Sequence, residues 1–436
     1  MSTLFTTRRD FLTRLSQATA LAATTNLGAA VAGASRSGVS PRPRAEHCIQ
    51  LWLGGGAAHI DTWDPKRLGD AAKRVPGSYY ESIPTAIQGA RVSKHLARSA
   101  RILDRSILLR TVHHNEVDEH GAATNRMHTG RPTSGTVVYP SIGSVIAHEL
   151  GAAEKGVPAY VVMGYPNLTR GPGFLGPKAG FIYLTDTKTG PAALARHSTI
   201  HKKREARRQA LLRSLSRKQA GTSPVDPAIA EYATMSEEAF ALTGPQFMSA
   251  FELESEPQSL RESYGSEFGQ RCLLGRRLIE RGVRFIEISH NLNFLNGTGW
   301  DTHNAGQLRQ HELIEELDKA FATLVKDLEV RGLLEKTVII ISTEFGRPPD
   351  FDGGGGRGHQ AGAFSMVLAG GGLRGGQVVG ETDELAKKIV RQPVGVPDVF
   401  ATVFKALGID HQKELYAGER PVPITDRGTP IAQLFS

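Results

Sequence analysis

Thr337-Val338-Ile339-Ile340-Ile341-Ser342-Thr343 runs directly into Glu344-Phe345-Gly346-Arg347. A short, near-continuous run of β-branched residues predicts a strand buried on both faces, as parallel sheets require. An acidic turn behind such a strand falls where open α/β sheets bind ligands, outside the carboxyl ends. Outward from this stretch the same pattern recurs. Cys48–Leu53 (CIQLWL) precedes Gly54-Gly55-Gly56, and Ser106–Val112, Tyr160–Met163, Arg284–Ser289 and Phe364–Ala369 read as further strands. Between them, Phe268, Cys272, Leu274, Leu278 and Ile279 recur at helical spacing. So do Leu313, Leu317, Phe321, Leu324 and Leu328, and shorter helices are expected over 122–128 and 397–407. Strands alternating with helices predict an α/β fold, a mostly parallel central sheet with helices on both faces. One domain is expected over 47–436, with an inserted loop and helical region at about 165–262.

The chain of 436 residues, 40% hydrophobic and 22% charged, is long enough to bury a substantial core. Residues 1–34 predict a separate fate. Thr7-Arg8-Arg9-Asp10-Phe11-Leu12 precedes a mild Ala/Leu-rich stretch ending in Ala30-Val31-Ala32 or Ala32-Gly33-Ala34, the pattern of a twin-arginine export signal. The stretch is too short and too alanine-rich for a membrane span, which needs about 20 strongly apolar residues. Residues 35–46 read as a polar linker. The expected mature protein is periplasmic or extracellular and has no transmembrane helix.

The formal charge of +8 peaks in Lys202, Lys203, Arg204, Arg207, Arg208, Arg213, Arg217 and Lys218, opposed only by Glu205. Ala206, Ala210, Leu211 and Leu215 recur at helical spacing within it, so a solvated helix face is expected rather than nucleic-acid binding. Cys48 and Cys272, the only cysteines, are expected as two buried apolar residues, with a disulfide in an oxidising compartment as the alternative, and match no redox or zinc motif.

The common catalytic signatures are absent. Gly370–Gly375 formally matches G-x-G-x-x-G, but Gly376-Gln377-Val378-Val379-Gly380 is no helix start to receive a pyrophosphate. There is no P-loop, zincin or serine-hydrolase motif. Four places instead set acidic or imidazole groups after apolar strands or in glycine-rich turns: His59 to Asp61, Glu119-His120-Gly121 through His128, Asp301-Thr302-His303, and Glu344 to Arg347 with His359 following. Divalent metals take imidazole and carboxylate ligands together. A pair of such ions activates water and clamps both oxygens of a phosphoryl or sulfuryl transfer, and Arg347 offers a planar fork for an oxyanion. Each group also has a plainer reading: Asp301 or Thr302 as a helix cap, His59 bonded within its loop, His113 and His114 as turn residues, Glu344 paired with Arg347.

The runs HIDTWDPK (59–66), HGAATNRMHTG (120–130), YPSIGSV (139–145), GPGFLGP (171–177), FGQRCLLGRRLIERGVRFIEI (268–288), GWDTH (299–303), TEFGRPP (343–349) and VPDVFATVFKALGI (396–409) span nearly the whole mature chain. In order and spacing they resemble the exported bacterial "domain of unknown function 1501" family, which is placed in the alkaline-phosphatase-like superfamily with sulfatases and phosphatases. The resemblance implies a metal set of Asp61, Asp301, His303, Glu344 and His359. Phe345 departs from it, standing where a histidine is expected after the acidic residue. The residue nine before Thr129, where relatives carry a Ser, Thr or Cys nucleophile, is His120, so no formylglycine forms by the usual sulfatase route.

The expected function is an exported, metal-dependent hydrolase of phosphate or sulfate esters, with zinc, manganese, calcium and magnesium not distinguished. His120 or a metal-activated water would occupy the nucleophile position, Thr124 being the nearest hydroxyl, and Arg347 would hold the anion. A small anionic ester or a sulfated or phosphorylated polymer is the expected partner. The alternative is a catalytically degenerate member acting as an extracytoplasmic binding protein.

Overall fold

The computed structural model describes residues 45–435 except 117–118, 165–167, 192–200, 221–238, 240, 292–298 and 304–306. The segment expected as an export signal and the expected linker up to residue 44 lie outside the described residues. A nine-stranded sheet organises the rest. Its strands are β1 (His47–Trp52), β2 (Ser106–His113), β3 (Tyr160–Met163), β4 (Ile182–Leu184), β5 (Phe285–Ser289), β6 (Thr337–Ser342), β7 (Phe364–Gly370), β8 (Gln377–Val379) and β9 (Val394–Gly395). They lie in the order β8-β2-β7-β6-β1-β5-β3-β4, with β9 also paired to β2. Only β7 runs against its neighbours, β2 and β6. The mostly parallel α/β architecture expected from the strand grammar is therefore the observed one.

Alternation along β1 shows why both faces need cover. Ile49, Leu51 and Leu53 enter one core with Phe268, Cys272, Leu274 and Leu278 of α4 (Glu267–Glu280) and Ile314, Leu317, Phe321 and Leu324 of α5 (Gln307–Val330). Cys48 and Trp52 enter the other, with Ile142, Val145 and Ile146 of α2 (Ile142–Leu150) and Val399, Val403 and Phe404 of α6 (Val396–Ala406). Residues two apart share a face of a strand, so one six-residue strand feeds two cores. The cysteines are both buried, free and on opposite sides of the sheet.

The region expected as an inserted loop and helical segment also supplies a strand of the sheet. Ile182–Leu184 closes one edge of the sheet, and α3 (Lys202–Ala220) carries the basic run. Leu211, Leu212 and Leu215 of α3 are 60%, 51% and 53% exposed, and Ala206 and Ala210 are exposed too. The apolar positions expected to back a solvated face are thus themselves solvated. No described helix is long and apolar enough to cross a membrane.

Candidate metal centre and active site

The parallel strands deliver their following turns to one edge of the sheet, and the reversed β7 brings the residues before it to that same edge. Behind β1, Gly55 adopts φ +120°, and a Cβ there would stand 2.4 Å from the Asp301 amide nitrogen. Only glycine allows this backbone approach. It lets Gly55 N donate to Glu344 Oε1 at 2.7 Å, while Ala57 N donates to Thr343 Oγ1 at 2.9 Å. The turns after β1, β5 and β6 are thereby tied into one floor.

His120 opens α1 (His120–Thr129), whose N-cap Glu119 accepts from the amides of Gly121 and Ala122. Its Nδ1 lies 2.8 Å from Glu344 Oε1, and since a carboxylate only accepts, Nδ1 carries the proton. That turns His120 Nε2 inward, 3.4 Å from Asp301 Oδ1. His303 repeats the device: Nδ1 lies 3.2 Å from Asp352 Oδ2 and Nε2 lies 3.2 Å from Asp301 Oδ1. His359 Nε2 stands 3.1 Å from His303 Nε2 and 3.8 Å from Asp301 Oδ1. His120, Asp301 and His359 each offer a ligand atom within 4.8 Å of the others. Ligand atoms tetrahedral about a zinc-sized ion, with bonds near 2.0–2.1 Å, sit roughly 3.3 Å apart.

The donor chemistry fits a divalent cation. Outer carboxylates that take the far ring proton are the usual way a ligating imidazole is oriented. Asp301, Glu344 and Asp352 set three carboxylates against the single guanidinium of Arg347, and loss of the His120 Nε2 proton to an incoming ion would leave the excess negative charge that a divalent ion matches. Burial pulls the His120 pKa down, but hydrogen bonds and charge from Asp301 and Glu344 win and raise it to about 9. Phe345, standing where a histidine was expected, is wholly buried with its ring 4.9 Å from that of His120 and 4.4 Å from that of His359. It packs the imidazoles rather than adding a ligand.

Three of the residues singled out from sequence make other contacts than those expected of them: Glu344, expected among the metal ligands, turns Oε1 to Gly55 N and His120 Nδ1, and Asp61 and Arg347 are engaged elsewhere. Asp61 does not join the cluster, because both its oxygens are held by Arg357, at 2.8 Å from Nε and 3.0 Å from a terminal nitrogen, and Tyr79 N donates at 2.7 Å. Arg347 does not offer a fork to an anion. It is fully buried, and its donors go to Gly56 O, Gly55 O, Arg357 O, Gly358 O and Asp301 Oδ1. It positions Asp301 instead. Glu344 and Arg347 are both buried and pair with other groups, not with each other, and His59, expected to bond within its own loop, meets Ala386 O at 2.8 Å instead. His114 is likewise structural, with Nε2 2.6 Å from Glu344 O. Sequence reasoning missed Asp352 and Arg357, although both flank the Gly353–Gly356 run just ahead of His359.

A mostly parallel sheet with His120, Asp301 and His359 gathered at its carboxyl edge defines an α/β protein with a candidate cation site there. The chain belongs to the family described as protein of unknown function (DUF1501), which matches residues 45–435. Among solved structures it is similar to Ps i-CgsB, at 11% identity over 90% of this chain and 76% of that one, TM-score 0.42. PsFucS1 sulfatase from Pseudoalteromonas sp. matches at 12% identity over 84% and 68%, TM-score 0.38. Alkaline phosphatase from the Antarctic bacterium TAB5 matches at 10% identity over 84% and 98%, TM-score 0.36. No curated protein sequence matches the chain.

Proposed function

We propose that this chain is a metal-dependent hydrolase of phosphate or sulfate esters that works outside the cytoplasm. One observation carries the proposal: Glu344 and Asp352 take the Nδ1 protons of His120 and His303, so that both Nε2 atoms, with His359 Nε2, face Asp301 Oδ1. His120, Asp301, His303 and His359 would hold the ion. When bound, a divalent ion supplies Lewis-acid charge to a phosphoryl or sulfuryl oxygen and lowers the pKa of water.

The chain's own residues do the rest. Arg347 fixes the Asp301 carboxylate. Glu344 keeps His120 in the tautomer that points Nε2 at the site, and Phe345 holds the ring plane. Thr124 lies one helical turn along α1 on the same face as His120 and lines the adjoining cavity with it. Asp61 and Arg357 cancel each other's charge and brace the turn after β1.

Purified full-length protein is expected to carry a divalent metal by elemental analysis, and to cleave aryl phosphates or sulfates only when loaded. A metal-replete protein that cleaves no member of a phosphoester and sulfoester panel sinks the hydrolase reading. The competing reading, an extracytoplasmic binding protein, draws on His120 standing in the nucleophile's place; it gains if the loaded protein binds an ester and leaves it intact. Export rests on Arg8-Arg9, and replacing both by lysine should leave the precursor in the cytoplasm. Secretion unaffected by that change counts against the twin-arginine route.

A further inference from the structure

A cavity of about 150 Å³ opens beside His120, lined by Trp52, Thr124, Arg170, Ser289 and Glu344 among others. It is small against the roughly 300–1,000 Å³ of pockets that hold whole drug-sized ligands. The sequence reading left Arg170 unremarked, immediately ahead of Gly171-Pro172-Gly173. Its side chain is 97% buried, and Nε donates to Glu287 Oε1 in a tight ion pair. Glu287 lies wholly inside β5 with its other oxygen 3.2 Å from His128 Nε2. Burial pushes this carboxyl up, but Arg170 and His128 outweigh it and hold the pKa at about 2. The anion therefore stays charged and keeps the guanidinium aimed, with Trp52 packed under it at 5.9 Å.

Only Nε of Arg170 is engaged; its terminal nitrogens donate to no described residue, yet the residue lines the cavity. This is the opposite of Arg347, whose donors are all engaged by protein acceptors. A second observation points the same way. Ser289 lines the cavity, and its buried Oγ has no partner among the described residues. Buried polar groups in folded proteins are nearly always satisfied, so an orphan hydroxyl beside an unsaturated guanidinium marks a place for a ligand.

We propose that Arg170, with the hydroxyls of Ser289 and Thr124, seats the tetrahedral oxyanion of the substrate next to His120. That the anion is an ester head group rests on the hydrolase reading above; the seat itself rests on the cavity. A planar fork with free terminal donors binds phosphate or sulfate oxygens in pairs, which lysine cannot imitate.

The test is titration of full-length, metal-replete protein with orthophosphate and with sulfate, by calorimetry, alongside Arg170→Lys and Ser289→Ala. Arg170→Lys should weaken anion affinity by about tenfold or more, with metal content unchanged, and Ser289→Ala by a smaller factor. If Arg170→Lys does not fold, Ser289→Ala decides alone. Wild-type protein that binds neither anion, or variants that bind as wild type does, overturns the seat. Anion binding weakened by the variants in a protein that turns over no ester supports the seat and fells the hydrolase reading. Turnover with unchanged KM and unchanged phosphate inhibition in both variants does the reverse.

Discussion

Asp61 and Asp301 are both buried aspartates at strand ends, and both are held by a buried arginine, yet removing their charges should have different signatures. Asp301→Asn removes the charge from the carboxylate on which three imidazoles and Arg347 converge, so bound metal should fall to background. Asp61→Asn leaves Arg357 buried with its counter-charge gone, a change that typically costs about 3–5 kcal/mol of stability. Metal content should survive it. Elemental analysis beside urea unfolding separates the two, and metal lost from Asp61→Asn protein that is still folded would return Asp61 to the ligand set. The positions of Asp61, Asp301, His303, Glu344 and His359 were legible because each follows a strand or a glycine turn. Their partners were not. Arg357 lies 296 residues from Asp61, and nothing local to either distinguishes a ligand from half of an ion pair.

At the scale of elements, legibility followed burial. Strands β1, β2, β3, β5, β6 and β7 were foreseen to within a residue or two, because a strand covered on both faces writes an unbroken apolar run. The short edge pieces β4, β8 and β9 were missed: Ile182–Leu184 and Gln377–Val379 sit among glycines, and their pairing is decided by the neighbouring strand rather than by their own residues. The reversed β7 carried no sequence mark at all, although it is what sets His359 at the ligand edge. Helix packing depends on equally local detail. In α2, a Cβ on Gly143 would stand 2.5 Å from the Tyr160 ring and 2.6 Å from that of Phe285. Alanine would gain up to about 1 kcal/mol of helix propensity. The clash with two fully buried rings should win, for a net loss of about 1–3 kcal/mol. A Gly143→Ala protein with an unfolding midpoint equal to or above wild type would show that α2 can back away from the sheet.

The whole molecule should be acid-sensitive in one direction and, without metal, alkali-sensitive in the other. His290 is buried, and burial holds its pKa near 4 against an ordinary value of 6.5; burial lowers His47, His59 and His114 as well. A depressed histidine is neutral in both states above the unfolded value, so its stability contribution is complete there. It is lost as pH falls from about 6.5 through about 4, where the unfolded chain takes protons the folded chain refuses. For His290 alone the loss reaches roughly 3 kcal/mol. His120 has the opposite sign. Raised to about 9 by Asp301 and Glu344, it contributes fully below 6.5 and loses that contribution as pH rises through about 9. A metal ion competes for Nε2 with that same proton, so uptake at neutral pH should release protons and strengthen toward pH 9. Urea unfolding of chelated and metal-loaded protein across pH 7 to 9 therefore discriminates. The chelated protein should weaken as pH climbs, while the loaded protein, its inward nitrogen already deprotonated, should hold or gain. Parallel curves for the two forms would mean that the ion does not meet His120, and that the cluster around Asp301 is held by protons alone.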